Sequence, residues 1–291
     1  MGQTGGILPA QQHAQQPGTM PEASASTIRP VPRCTGYQER KMKAVSSISS
    51  RAVLAGALML AGLSAPTAAF AEDEAKPLSV SGNVAFVTDY RFRGISYSDL
   101  DPAVQGGINL NSSTGLFASI WGSSIADFNG STVEMDFTGG WSGDIAGTTT
   151  TAGVIYYTYP GGSNTNIVEL FGSVAIPLGP VTATFGLNWA PDQKNLSTSS
   201  RYAFGQISGA IPGTPITLKG VLGNERGGLV VDDSGTKTHK WDWLIGADVT
   251  WEALTFGVAY VGNNLTNNKV DGFRFNRPAQ ETVVFSVTAA F

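Results

Sequence analysis

Nine charged residues fall within segments that otherwise alternate apolar and polar: Asp89, Arg91 and Arg93, then Glu134 and Asp136, Glu169, Lys219, and Asp242 and Asp248. Along a strand, positions two apart share a face, so each group projects to one side of its segment. Six acids against three bases make a mildly negative lining that favours small cations. In the alternative, Arg91 and Arg93 pair with facing carboxylates and fill the space between them. Residues for bond-breaking chemistry are scarce. Nucleophilic or acid–base catalysis wants a histidine near Ser, Asn or Asp, and beyond residue 71 the one histidine is His239, at the end of a long polar loop. The sole cysteine, Cys34, precedes residue 72, so disulfides and His/Cys metal sites are excluded by count. Asp232-Asp233-Ser234-Gly235 has the oxygen donors for a divalent cation, although such a run is more commonly a solvated turn. Neither GxxxxGK[ST] nor GxGxxG occurs. No catalytic residue, metal or cofactor is expected.

The elements that position the nine charges are strands. Val80, Val84, Phe86, Tyr90 and Phe92 alternate with Asn83, Asp89 and Arg91. Val133, Met135, Phe137 and Trp141 alternate with Glu134, Asp136 and Thr138, and Trp241, Trp243, Ile245, Ala247, Val249 and Trp251 with Asp242, Asp248 and Thr250. Strict alternation marks half-buried strands. The spacing predicts about twelve of them, with ten or fourteen left open because 116–125, 149–159 and 201–211 have ambiguous parity. The links (94–102, 112–115, 124–132, 142–148, 160–166, 177–180, 191–200, 212–215, 224–239, Glu252-Ala253, 262–280) alternate longer with shorter. That sorting predicts an all-β, transmembrane, up-and-down antiparallel β-barrel with short periplasmic turns and longer outer loops. Trp241 and Trp251 share a face at a separation of roughly 33 Å along the strand. With a tilt of about 40°, this matches an apolar band about 25 Å tall between aromatic girdles. Trp189 and Tyr90 are expected in the outer girdle with Trp241, and Trp141 and Phe291 in the inner one with Trp251.

Composition agrees. Only 14% of residues are charged, Gly numbers 36, and the net charge is −4. An acidic chain lacks the basic stripe that a nucleic-acid partner needs. Residues 40–43 (Arg-Lys-Met-Lys) and Arg51 precede the apolar stretch AVLAGALMLAGLSA (52–65) and the small-x-small end Ala69-Phe70-Ala71. That is the layout of a secretory signal peptide. The expected organisation is an upstream extension or mis-called start over 1–41, a signal peptide over 42–71, and the barrel over 72–291.

The stretch Asn83-Val-Ala-Phe-Val-Thr-Asp-Tyr-Arg-Phe-Arg-Gly-Ile-Ser (83–96), followed by Asp101-Pro-Ala-Val-Gln-Gly-Gly (101–107), resembles the opening of the TorF-family porins of Proteobacteria. Similar pieces are Glu134-Met-Asp-Phe (134–137), Tyr159-Pro160, Asn166 to Glu169, and Asn188-Trp-Ala-Pro-Asp (188–192). The Asp-Tyr-Arg-Phe-Arg-Gly block is the specific part. The resemblance implies an outer-membrane barrel with a pore function, and it brings no established substrate or catalytic set. The last strand, ending Phe285, Val287, Ala289 and Phe291 on one face, resembles the signal read by the barrel-assembly machinery. Expected partners are outer-membrane lipid and lipopolysaccharide, with oligomeric state open. The outer loops 191–200, 224–239 and 262–280 also suit an adhesive or structural barrel.

Overall fold

The computed structural model describes residues 77–291, apart from 197, 231–238, 266–268 and 272–275. The extension (1–41), the signal peptide (42–71), Cys34 and the Asp232–Gly235 turn lie outside the described residues. Twelve long strands follow in order: β1 (Leu78–Val87), β2 (Ala103–Ser112), β3 (Leu116–Phe128), β4 (Ser131–Ile145), β5 (Thr148–Thr158) and β6 (Ile167–Leu178). Then come β7 (Val181–Ala190), β8 (Ser200–Ala210), β9 (Ile216–Gly227), β10 (His239–Trp251), β11 (Leu254–Asn263) and β12 (Thr282–Ala290). Each pairs antiparallel with the next, and β12 returns to β1, with Phe86 opposite Val287 and Asn83 opposite Ala290. The sheet is therefore a closed twelve-stranded barrel, which removes every exposed edge. The three segments of ambiguous parity form β3, β5 and β8.

Alternation turns one side chain out and the next in. Phe86, Ile108, Ile120, Phe137, Leu187 and Ile245 stand exposed around the outside. Thr138, Thr151, Ser173, Thr255, Ser286 and Thr288 are buried on the inside. The connections sort by end. Residues 113–115, 146–147, 179–180, 211–215 and 252–253 close one end, which also carries residues 77 and 291. The links that follow Val87, Phe128, Thr158, Ala190, Gly227 and Asn263 leave from the other end.

Two expectations are corrected. The link read as 124–132 is a two-residue turn, because Asn129 (φ 48°) and Gly130 (φ 95°) supply the paired positive φ that a tight hairpin needs. The first strand, read through Phe92, stops at Val87. Residues 89–98 turn inward instead of continuing along the wall, and 99–102 are exposed.

Candidate functional site: the barrel interior and its inward-folded segment

Local hydrogen bonds explain why 88–102 leaves the wall. The Asp89 carboxylate accepts from Ser96 Oγ at 2.6 Å and Ser98 Oγ at 3.2 Å, and it pairs with Arg91. Ser98 Oγ in turn accepts the Tyr90 N–H at 2.9 Å. The segment thus folds back on itself, pairing Arg91–Phe92 with Ile95–Ser96. Its turn is Arg93 (φ 48°) and Gly94 (φ 82°), the positive pair of a type I′ hairpin. Any side chain at 94 would begin 2.8 Å from the Gly262 carbonyl oxygen, so glycine is also needed for the close approach to the wall. Donors fix the hairpin there. Lys240 Nζ donates to the Arg93 carbonyl at 2.7 Å, Asn263 Nδ2 to the Gly94 carbonyl at 2.9 Å, and Arg91 Nη1 to the Gln280 carbonyl at 2.7 Å.

The tip residue, Arg93, enters a site built from six consecutive strands, β5 to β10. Its Nη2 donates to both Glu169 oxygens, at 3.0 and 2.7 Å, and its Nη1 to Glu225 Oε1 at 2.6 Å. The guanidinium carbon lies 4.2 Å from the Tyr202 ring centre and 4.7 Å from that of Phe92. Both terminal nitrogens of the group are thereby engaged, whereas its buried Nε has no hydrogen-bond partner among the described residues. The carboxylates are themselves oriented: Tyr157 Oη donates to Glu169 Oε2 at 2.9 Å, and Asn188 Nδ2 to the same oxygen at 3.3 Å. Lys240 bridges Glu225 and Asp242 at 2.9 Å each, and Tyr202 Oη donates to Asp242 at 2.9 Å. The Arg93 side chain is 2% exposed and that of Lys240 0%. Burial costs several kcal/mol per ion unless geometry repays it. Here two cations meet three carboxylates, with tyrosine hydroxyl and asparagine amide donors to the carboxylates beside them.

Glu134 and Asp136 sit beside this cluster on the inner face of β4. Tyr159 Oη donates to Glu134 at 2.8 Å. Asp136 is 0% exposed, and neither of its oxygens has a hydrogen-bond partner among the described residues. In register it lies between Trp121 and Tyr157. A second charged level lies nearer the short-turn end, where Lys219 Nζ reaches both Asp248 oxygens at 2.7 Å. Six residues of β10 separate Asp248 from Asp242, about 20 Å along the strand. Between them on β10 the inward positions are Leu244 and Gly246, and Val261 and Ala259 lie opposite these on β11.

All nine expected lining residues project inward. They do not line an open passage at the level of Arg93, because they are paired or packed around the inward segment. Tyr90 is a correction. It was expected in the outer aromatic girdle, yet it is 1% exposed and packs on Trp121 and Tyr97 with ring centres 5.5 Å apart. The cause is the early end of β1, beyond which parity no longer reports the side facing outward. Trp141, Trp189, Trp241, Trp251 and Phe291 are exposed on the outside, with Trp241 and Trp251 at opposite ends of β10. His239 is also exposed on the outside, opposite Arg226. Glu225 and Lys240 were missed. Lys240 shares parity with Asp242 and Glu225 with Lys219, but Glu225 fell inside the loop read as 224–239 and Lys240 between that loop and the alternation read from Trp241.

Residues 71–291 match a family described as a bacterial protein of unknown function (Gcw_chp), and the chain belongs to that family. No curated protein matches it. Among solved structures it is similar to the NanC porin at 10% identity and a TM-score of 0.48, covering 73% of this chain and 99% of that one. The KdgM porin gives 8% identity and 0.49, over 72% and 98%. A mutant porin of Rh. blastica gives 20% identity and 0.34, over 64% and 55%. Likenesses this loose leave the fold resting on the strand ladder itself.

Proposed function

We propose that the chain is an outer-membrane β-barrel of a Gram-negative bacterium, acting as a porin-like channel for small hydrophilic solutes or ions that its segment 88–102 holds shut. The observation that carries this reading is the outward apolar face of the closed sheet, with exposed apolar side chains all round the outside, whereas the interior mixes charged and hydroxyl side chains with a buried apolar cluster that includes Trp121, Ile155, Phe171 and Val284. An apolar surface of that extent is incompatible with water and suits lipid. Lipid also requires that every backbone group be paired within the structure, as closure of the ladder provides.

Other features support the same reading. The exposed tryptophans at both ends of the strands suit interfacial girdles. The signal-peptide layout of 42–71 suits export. Arg201, Arg226 and His239 stand exposed and in register across β8, β9 and β10, beside Trp189. Like charges directly opposite one another destabilise a sheet, and the anionic headgroups of lipopolysaccharide would relieve them. Seven interior carboxylates (Asp89, Glu134, Asp136, Glu169, Glu225, Asp242, Asp248) against four cations (Arg91, Arg93, Lys219, Lys240) support a weak cation preference. The Asp-Tyr-Arg-Phe-Arg-Gly block, on which the resemblance to the TorF family rests, is the inward hairpin itself. No chemistry on a substrate is proposed, and the exposed outward position of His239 suits a surface residue.

A second reading, a permanently plugged structural or adhesive barrel, is favoured by the near-complete burial of Arg93 and Lys240. Single-channel recording in planar bilayers separates the two. The wild-type barrel is expected to open rarely, and Arg93→Ala to raise the open probability severalfold. Well-folded wild-type and Arg93→Ala barrels that both stay silent would overturn the channel.

A further inference from the structure

The wall that Arg93 touches is more elaborate than a clasp requires. Glu169, on β6, offers both its oxygens to one guanidinium nitrogen, and Glu225, on β9, meets the other. Tyr157 and Asn188 set the orientation of Glu169, and Lys240 sets that of Glu225. The Tyr202 ring, 4.2 Å away, provides a π surface over the guanidinium plane. Planar donors met by carboxylates at the edges and an aromatic at the face define a receptor for guanidinium specifically. A compact ammonium has neither the fork nor the plane. Everything except Phe92 belongs to the barrel wall, so the receptor persists if the hairpin withdraws.

We propose that the lumen of this barrel contains a guanidinium-binding site, formed by Glu169, Glu225 and Tyr202, which Arg93 occupies as an internal ligand and which takes guanidinium-bearing solutes when the hairpin is withdrawn. This rests on the channel reading only in that a solute must reach the lumen. Arg93 then has two roles: it closes the path, and it shields the receptor until the segment moves. The preferred solutes are arginine and other small cations carrying a guanidinium group.

The test is chemical replacement of the missing side chain. Purified Arg93→Ala barrel in detergent is titrated with ethylguanidinium chloride, using methylammonium chloride at equal ionic strength as the control, and thermal unfolding is followed. Ethylguanidinium is expected to bind about tenfold or more tightly than methylammonium, a difference of about 1.4 kcal/mol, and to raise the melting temperature. Adding Glu169→Gln and Glu225→Gln should abolish that preference. In bilayers the same ion should block the current that Arg93→Ala releases. If Arg93→Ala does not fold alone, refolding in ethylguanidinium is the readout, and recovery that methylammonium does not give supports the site. Equal effects of the two cations, or a preference surviving both glutamate substitutions, would overturn it. Selective stabilisation without conductance would keep the site and sink the channel, whereas conductance without selectivity would do the reverse.

Discussion

The Arg93 cluster makes a prediction whose sign depends on whether the outer lumen is dry. Glu169, Glu225 and Asp242 face Arg93 and Lys240, three anions to two cations, and every one of the five is almost fully buried. Lys240→Met leaves three carboxylates to one guanidinium. Removing one partner of a buried pair costs about 3–5 kcal/mol, because the remaining charge has no compensation. Glu225→Gln acts differently. It leaves Arg93 with Glu169 and Lys240 with Asp242, so the cluster becomes neutral. The loss is then that of weakened hydrogen bonds, about 1–2 kcal/mol. The double variant restores the original excess of one anion, with a coupling energy of about 1–3 kcal/mol in its favour. Urea unfolding of each protein in lipid vesicles, followed by tryptophan fluorescence, gives all three values. In a wet lumen both charges are screened and both single variants cost about 0–1 kcal/mol. Equal small costs, or a cheaper Lys240→Met, would refute the account of a closed outer lumen.

Further outcomes follow from single positions. Gly94→Ala forces a side chain into a positive-φ site with the Gly262 carbonyl 2.8 Å away. It should weaken the hairpin by about 1 kcal/mol or more and raise open probability in bilayer recordings, with little change in global unfolding. Asp136→Asn replaces a buried carboxyl group that lacks hydrogen bonds among the described residues. It should stabilise the barrel by about 1–2 kcal/mol in the same urea assay, and a loss of stability would mean that the carboxylate is compensated by a bound group. Trp241 and Trp251, at the two ends of β10, should both be quenched most strongly by lipids brominated near the headgroup. Deep quenching of either would misplace the band.

Most of the barrel was legible because alternation is a local signal with a global consequence. Once Trp241, Trp243, Ile245 and Ala247 face outward, Asp242 and Asp248 must face inward, and lipid makes the opposite choice costly. The same logic failed where the chain stopped being wall. Tyr90 continues the parity of Val84 and Phe86, and nothing in the alternation distinguishes a strand that goes on from one that ends at Val87 and pairs with itself. The information was present in a different form: Asp89 followed by Ser96 and Ser98, and Gly94 where a turn needs positive φ. Turn chemistry of that kind reads as hairpin only if the preceding apolar positions are not already assigned to strand. Glu225 was hidden by the complementary error, a loop drawn too long, and Lys240 fell between that loop and the alternation read from Trp241, so two partners of the Arg93 site were absent from the list of inward charges. Of the two readings of the nine inward charges, an open lining or a filling in which Arg91 and Arg93 pair with carboxylates, the buried pairing of Arg93 with Glu169 and Glu225 favours the second. In a barrel of this size the state of the lumen is decided at its mouth, by segments whose conformation depends on contacts across the interior instead of on their neighbours in sequence.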